Sequence, residues 1–239
     1  MLDFKNKPII AMLHLKEDGS MTMTERMKRE TEIYFQNGVD AVLVENYFGS
    51  TGDCEIALDY LNGHYKNACY GVNILGDYRT AFELAQRYNA AFLQIDSVCG
   101  HLPPLQDAAY AEELKDLADK YCSIQVLGGV RFKYQSVRSG RTLVEDLQLG
   151  KERCTAVVTT GEGTGKDCPT EKLKQFRSHL GEFPLIVGAG VTANTVAEKL
   201  RYSDGAIVGS WFKEGHADYG DVNAEYVREF MKNARQNRW

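Results

Sequence analysis

The chain has 239 residues, 44% hydrophobic and 26% charged, with a net charge of −5 and a pI near 5.6. This balance argues against a general nucleic-acid binder, which usually carries a basic patch or stripe, and leaves room for a local basic pocket. No run approaches the 18 apolar residues of a membrane span.

The length fits one (β/α)8 barrel, for which about 250 residues is typical. No linker interrupts residues 1–239, so one domain is expected. The N-terminus runs straight into an apolar strand without a signal-peptide core, which points to the cytoplasm. The six cysteines (Cys54, Cys69, Cys99, Cys122, Cys154 and Cys168) form no C-x-x-C pair and no zinc-like cluster. Reduced structural thiols are expected, with Cys99 singled out because it follows a strand end.

The first apolar run is 8–13, ending at His14. A polar loop over 16–23 precedes a helix over 24–37, with Thr24 as its N-cap and Gly38 closing it. A second strand over 41–44 ends in Glu45 and Asn46, and a helix over 54–65 follows. The third strand, 69–74, carries Asn73 near its end. Asp77 caps a helix reaching residue 88, and the fourth strand, 91–95, ends at Asp96. After a loop over 97–106 comes a helix over 108–121. The fifth strand, 123–127, meets a turn at Gly128 and Gly129 and a basic stretch with Arg131, Lys133, Arg138 and Arg141. A helix over 142–153, a strand over 156–158, the segment Thr159-Thr160-GEGTGK and a helix over 170–180 complete six units.

The stretch 184–213 repeats the unit with more glycine. A strand over 184–187 leads into Gly188, Ala189 and Gly190, then a helix over 192–200. A strand over 206–208 leads into Gly209 and Ser210, and an amphipathic helix over 223–237 ends the chain. Eight strand–helix pairs with Val/Ile-rich strands predict an α/β fold, a closed parallel barrel. An open doubly wound sheet is the alternative.

In such barrels the site lies at the C-terminal strand ends, and the last two turns commonly hold a phosphate. Gly188, Ala189, Gly190, Gly209 and Ser210 are therefore the expected phosphate-binding residues, the alternative being plain strand–helix turns. Glu45 and Asp96 are either an acid/base pair, a divalent-cation site or rim partners of Lys133 and Arg131. Lys133 is a candidate electrophile or Schiff-base lysine, or a solvated loop residue. His14 is a general base, a ligand donor or a hydrogen-bonded structural residue. Asn46 and Asn73 either hydrogen-bond sugar hydroxyls or fill an Asx-turn or C-cap role. Arg131 either contacts substrate or sits in a solvated loop, and Thr160, Gly161 and Thr164 are further candidates for substrate contacts, with Glu162 beside them. Residues 161–166 fail the P-loop pattern: three residues, not four, separate Gly161 from Gly165, and Asp167 follows the lysine. They read instead as a mobile loop over the barrel mouth. No dedicated metal site and no organic cofactor are indicated.

The motifs PIIAMLHL, GVDAVLVEN, GVNIL, VTTGEGTGK and VGAGVT are similar, in order, to those of the BtpA family, which includes a photosystem I biogenesis protein and the SgcQ-like bacterial proteins. The resemblance spans roughly residues 8–230 and implies a ribulose-phosphate-binding type of barrel. It carries His14, Glu45, Asn46, Asn73, Lys133, Thr160, Gly161, Gly163, Thr164, Gly165, Gly188, Gly190 and Gly209 as matching positions. A photosystem assembly role is implied for photosynthetic members alone. The sequence also departs from the pattern. Gly129–Tyr134 keeps only the lysine of the family's polar Asp-Val-His-Val-Lys-His run, Asp96 replaces a usual Asn, and the loop after His14 lacks a proline-rich run. These departures point to a different substrate or to a binding protein without catalysis. Two functions are thus expected as alternatives. One is an enzyme acting on a small phosphorylated sugar or nucleoside-type ligand, by isomerisation, lysis or glycosidic cleavage. The other is a non-catalytic assembly or regulatory factor. A homo-oligomer is expected on frequency grounds alone.

Overall fold

The strands are nearly continuous apolar runs because both of their faces are buried. A computed structural model describes residues 1–236 and closes them into one parallel barrel in the order β1-β2-β3-β4-β5-β6-β7-β8. The strands are β1 (Ile9–Leu13), β2 (Ala41–Glu45), β3 (Cys69–Asn73), β4 (Phe92–Ile95), β5 (Gln125–Gly129), β6 (Ala156–Thr160), β7 (Leu185–Gly188) and β8 (Ala206–Val208). The helices after them are α1 (Met23–Gln36), α2 (Thr51–His64), α3 (Tyr78–Arg87), α4 (Pro104–Lys120), α5 (Leu143–Arg153), α6 (Thr170–Leu180), α7 (Val196–Lys199) and α8 (Ala224–Gln236). The expected (β/α)8 barrel is the fold.

Alternation along each strand divides its side chains between two cores. Ile10, Met12, Ala41, Leu43, Phe92, Leu127, Ala156, Val158, Ile186 and Ile207 form one cluster inside the barrel. Ile9, Ala11, Leu13, Val42, Val44, Val72 and Leu93 belong to the larger one shared with the helices. Gln125 closes the lower end, donating to the Leu2 carbonyl at 3.1 Å and accepting from the Leu2 amide at 2.7 Å.

Several element ends differ from the sequence expectation, each for a local reason. Helix α1 is capped by Thr22, not Thr24, through a capping box with Glu25. Ser50 and Asp53 cap α2 in the same way, so it starts before Cys54. Helix α4 starts at Pro104, a proline in the first turn costing no hydrogen bond. Gly128 and Gly129 are the end of β5 and not a turn. A Cβ at Gly129 would lie 1.9 Å from the Asp96 carbonyl oxygen, so only glycine lets β5 run this close to β4. The helix expected over 192–200 shrinks to one turn. Thr192 and Thr195 bond each other's backbone amides through their hydroxyls, at 3.0 and 3.2 Å, which holds residues 192–195 in a turn. The last expected helix reaches Gln236, and Asn237 lies outside the described residues.

Candidate functional site

The inward phase of each strand fixes what reaches the barrel mouth. Ile10 and Met12 are followed two residues later by His14, Ala41 and Leu43 by Glu45, and Cys69 and Gly71 by Asn73. Phe92 and Gln94 lead to Asp96, Ala156 and Val158 to Thr160, Ile186 to Gly188, and Ile207 to Gly209. A cavity of about 220 Å³ opens there. Its walls include His14, Glu45, Asp96, Lys133, Thr160 and Thr164, together with the turns Gly188, Ala189, Gly190 and Gly209, Ser210.

Four other candidates sit elsewhere. Asn46 follows Glu45 in the opposite phase, and its Oδ1 accepts from the Leu75 amide at 2.8 Å, bracing the next loop. Asn73 is an inward strand end but does not line this cavity; it lines the neighbouring one with Gln94 and Asp96. The Arg131 guanidinium pairs with fully buried Asp146 at 2.5 Å and donates to the Arg141 carbonyl at 2.9 Å. Gly161 packs on backbone, since a Cβ there would meet the Asp167 oxygen at 2.4 Å. Arg131, Gly161 and Glu162 line an outer groove beside the mouth. Cys99 is buried, its thiol donating to the Asp146 carbonyl at 3.0 Å and pushed up to about 12 by burial. It is not a reactive thiol.

The two carboxylates are joined through one amide. Asn73 Nδ2 donates to Glu45 Oε1 at 2.7 Å and to Asp96 Oδ1 at 3.1 Å. Gln94 Nε2 adds a bond to Asp96 Oδ1 at 3.0 Å. Burial, and then the charge of Asp96, push the Glu45 carboxyl up to about 7. His14 is 4% exposed, and burial followed by the charges of Lys213 and Lys133 holds its imidazole well below the ordinary value. It is therefore neutral at neutral pH, with Nε2 3.7 Å from Glu45 Oε2. Tyr47 stacks on it at 4.8 Å.

The opposite wall carries backbone instead of side chains. Ala189 and Gly190 are both left-handed, with φ of 62° and 66°. None of the amides of Ala189, Gly190, Gly209 and Ser210 donates a hydrogen bond to another described group. Lys133 reaches across from β5. Its amide donates to Thr160 Oγ1 at 2.8 Å and its Nζ to Thr164 Oγ1 at 3.0 Å. The Thr164 amide donates to the Tyr134 hydroxyl at 2.9 Å, so the glycine-rich loop is drawn over the mouth at this point. Lys199 holds the far end of that loop through Asp167 Oδ2, at 2.9 Å, and the Cys168 carbonyl. Among the described residues no group of three or more His, Cys, Asp or Glu side chains is placed to hold a metal ion.

The BtpA family model matches residues 63–236 of the chain. The chain belongs to the BtpA family. An uncharacterized protein of Pyrococcus horikoshii is 28% identical over 97% of each chain. The photosystem I biogenesis protein BtpA of Synechocystis is 22% identical, covering 91% of this chain and 83% of its own. The structure of 3-hexulose-6-phosphate synthase from Salmonella typhimurium superposes with a TM-score of 0.68 at 15% identity, over 96% of this chain and 99% of that one. At that identity the likeness is one of fold. No described helix of this BtpA-family barrel is long and apolar enough to cross a membrane.

Three residues at this BtpA-family site escaped the sequence reading. Gln94 precedes Asp96 by two and shares its inward phase, so strand periodicity carries its signal. Tyr47 lies in a loop, and Lys213 follows a 3-10 turn (Ser210–Phe212), where no periodicity applies. Lys213 Nζ nonetheless lies 2.8 Å from His14 Nδ1.

Proposed function

We propose that this BtpA-family barrel is an enzyme that moves a proton on a small phosphorylated sugar-like ligand. The observation that carries the reading is the coupled Glu45–Asp96 pair facing four undonated backbone amides across one small cavity. Backbone amides at the ends of β7 and β8 suit a phosphate. A cavity of about 220 Å³ is smaller than the roughly 300–1,000 Å³ of sites for drug-sized molecules. The Salmonella neighbour, a 3-hexulose-6-phosphate synthase, agrees with that ligand class.

With phosphate on the amide wall, the carbon chain of the ligand reaches the carboxylates. Glu45, with its carboxyl near 7, is poised to take and return a proton at neutral pH. Removing a proton next to a carbonyl sends the C–H electron pair into an enediolate, whose oxygen charge the Lys133 ammonium and the His14 N–H offset. Returning the proton to the neighbouring carbon, while the hydroxyl proton passes to the former carbonyl oxygen, completes an isomerisation. A C–C cleavage runs through the same kind of enolate. A carboxylate takes the proton of a hydroxyl β to the carbonyl, the C–C electron pair enters the enolate, and the far fragment leaves as an aldehyde.

The test is thermal unfolding with inorganic phosphate, ribulose 5-phosphate and ribose 5-phosphate, each with and without Mg²⁺. A ligand at 100 times its dissociation constant stabilises by about 2.7 kcal/mol, a shift of about 5–11 °C for a domain this size. The shift should vanish in Gly209→Asp. A bound sugar phosphate should exchange a carbon-bound hydrogen with D₂O, and Glu45→Gln should abolish that exchange. No shift with any probe would sink the phosphorylated-ligand reading and favour the non-catalytic alternative.

A further inference from the structure

We infer that Lys213 is a positioning residue that fixes His14 as the neutral imidazole with its proton on Nε2, so that this N–H faces the ligand. The inference rests on reading the cavity as a ligand site. Lys213 is 2% exposed. Its Nζ lies 2.8 Å from His14 Nδ1 and 2.7 Å from the Asp218 carbonyl oxygen. An ammonium has three N–H donors and no lone pair, so against Nδ1 it can only donate. Nδ1 is then the acceptor, and the proton of the neutral ring resides on Nε2.

The surroundings direct that N–H. Nε2 lies 3.7 Å from Glu45 Oε2 and 3.7 Å from where a Cβ at Gly209 would stand, between the carboxylate wall and the phosphate turn. The stacked Tyr47 ring fixes the plane of the imidazole. The charged groups facing Lys213 are Glu30 of α1, Glu45 of β2, Lys16 after β1, and Asp218. Glu30 and Asp218 favour the charged amine, while burial draws it down to about 8. The competing arrangement puts the proton on Nδ1 and donates it to the Asp218 carbonyl, which also lies against the ring.

The experiment is a long-range ¹⁵N–¹H correlation spectrum of the full chain with labelled histidine, His14 being assigned by its loss in His14→Gln. At pH 7 the wild type should show a protonated Nε2 and a bare Nδ1. In Lys213→Met a protonated Nδ1 should appear. In the wild type the preference should relax as pH rises through about 8, where the amine loses its charge. A protonated Nδ1 in the wild type at pH 7 would overturn the inference, as would an unchanged tautomer in Lys213→Met. If Lys213→Met does not fold, the wild-type spectrum and its alkaline titration decide alone. Thermal unfolding with inorganic phosphate on the same sample separates the two readings. A protonated Nε2 without a phosphate shift supports the positioning role and counts against the phosphorylated ligand.

Discussion

Replacing Glu45 by Gln should make the barrel more stable, and increasingly so as pH rises. The Glu45 carboxyl moves from an ordinary 4.5 to about 7 in the fold, through burial and then the charge of Asp96. The folded state thus holds this proton more tightly than the unfolded chain. Stability tied to it is complete below about 4.5 and is lost as pH rises through about 7. At 1.36 kcal/mol per pH unit the loss is about 3 kcal/mol. The side-chain amide of the Glu45→Gln variant keeps an acceptor for Asn73 and cannot titrate, so the variant escapes the loss. Because Asp96 shares the Asn73 amide, the midpoint observed belongs to the pair. The assay is calorimetric Tm for both proteins from pH 4.5 to pH 8.5. At roughly 2–4 °C per kcal/mol, the variant should gain about 6–12 °C on the wild type across that window. Titrations elsewhere cancel in the difference. A Tm difference that stays constant with pH would refute the claim that Glu45 is buried with a raised proton affinity.

Asn73→Ala removes a donor from two carboxylates at once. It should cost about 1–3 kcal/mol in denaturant unfolding and push the Glu45 midpoint above 7, because the lost N–H favours the ionised form. Gly190→Ala should destabilise by more than about 1 kcal/mol. Its φ of 66° is left-handed, and the new Cβ would meet Lys166 C at 2.4 Å. Limited proteolysis should then cut within residues 161–167 faster than in the wild type. Arg131→Met should cost about 3–5 kcal/mol by stranding buried Asp146, read as a lower Tm. The solvent-hydrogen exchange proposed for Glu45 should survive in whatever fraction stays folded.

The barrel was legible because its strands are short Val/Ile runs at regular spacing, each followed by a helix. Much of the site was legible for the same reason, since polar residues at the ends of buried strands are conspicuous. His14, Glu45, Asp96 and Thr160 stand out in this way and line the cavity. Asn46 stood out equally, yet its phase is that of Val44, which faces the helices. Counting by twos from Leu43 would have separated Glu45 from Asn46. Arg131 was misleading because a fully buried acid on α5, 15 residues away in sequence, captures it. Lys213 was invisible because its partner His14 is 199 residues away and neither spacing nor composition links them.

The inward strand ends also divide into two sets around the ring. On β1 to β4 they are His14, Glu45, Asn73 and Asp96; on β5 to β8 they are Gly129, Thr160, Gly188 and Gly209. A barrel needing only to be filled has no reason to bury ionisable groups on one side, because each costs desolvation that apolar packing avoids. Nor has it reason to leave glycine on the other, where a side chain would fill space. The two halves make sense together for a ligand with two unlike ends. On the proposed function, one end would be anionic and small enough to meet backbone amides directly, and the other would carry the hydrogen that a carboxylate removes. Lys133 belongs to neither set. It comes from the loop after β5 and reaches Thr164 on the loop after β6, at the edge where the two halves meet. On the proposed function, a cation there would lie beside the centre of the ligand, where charge would develop as the proton leaves.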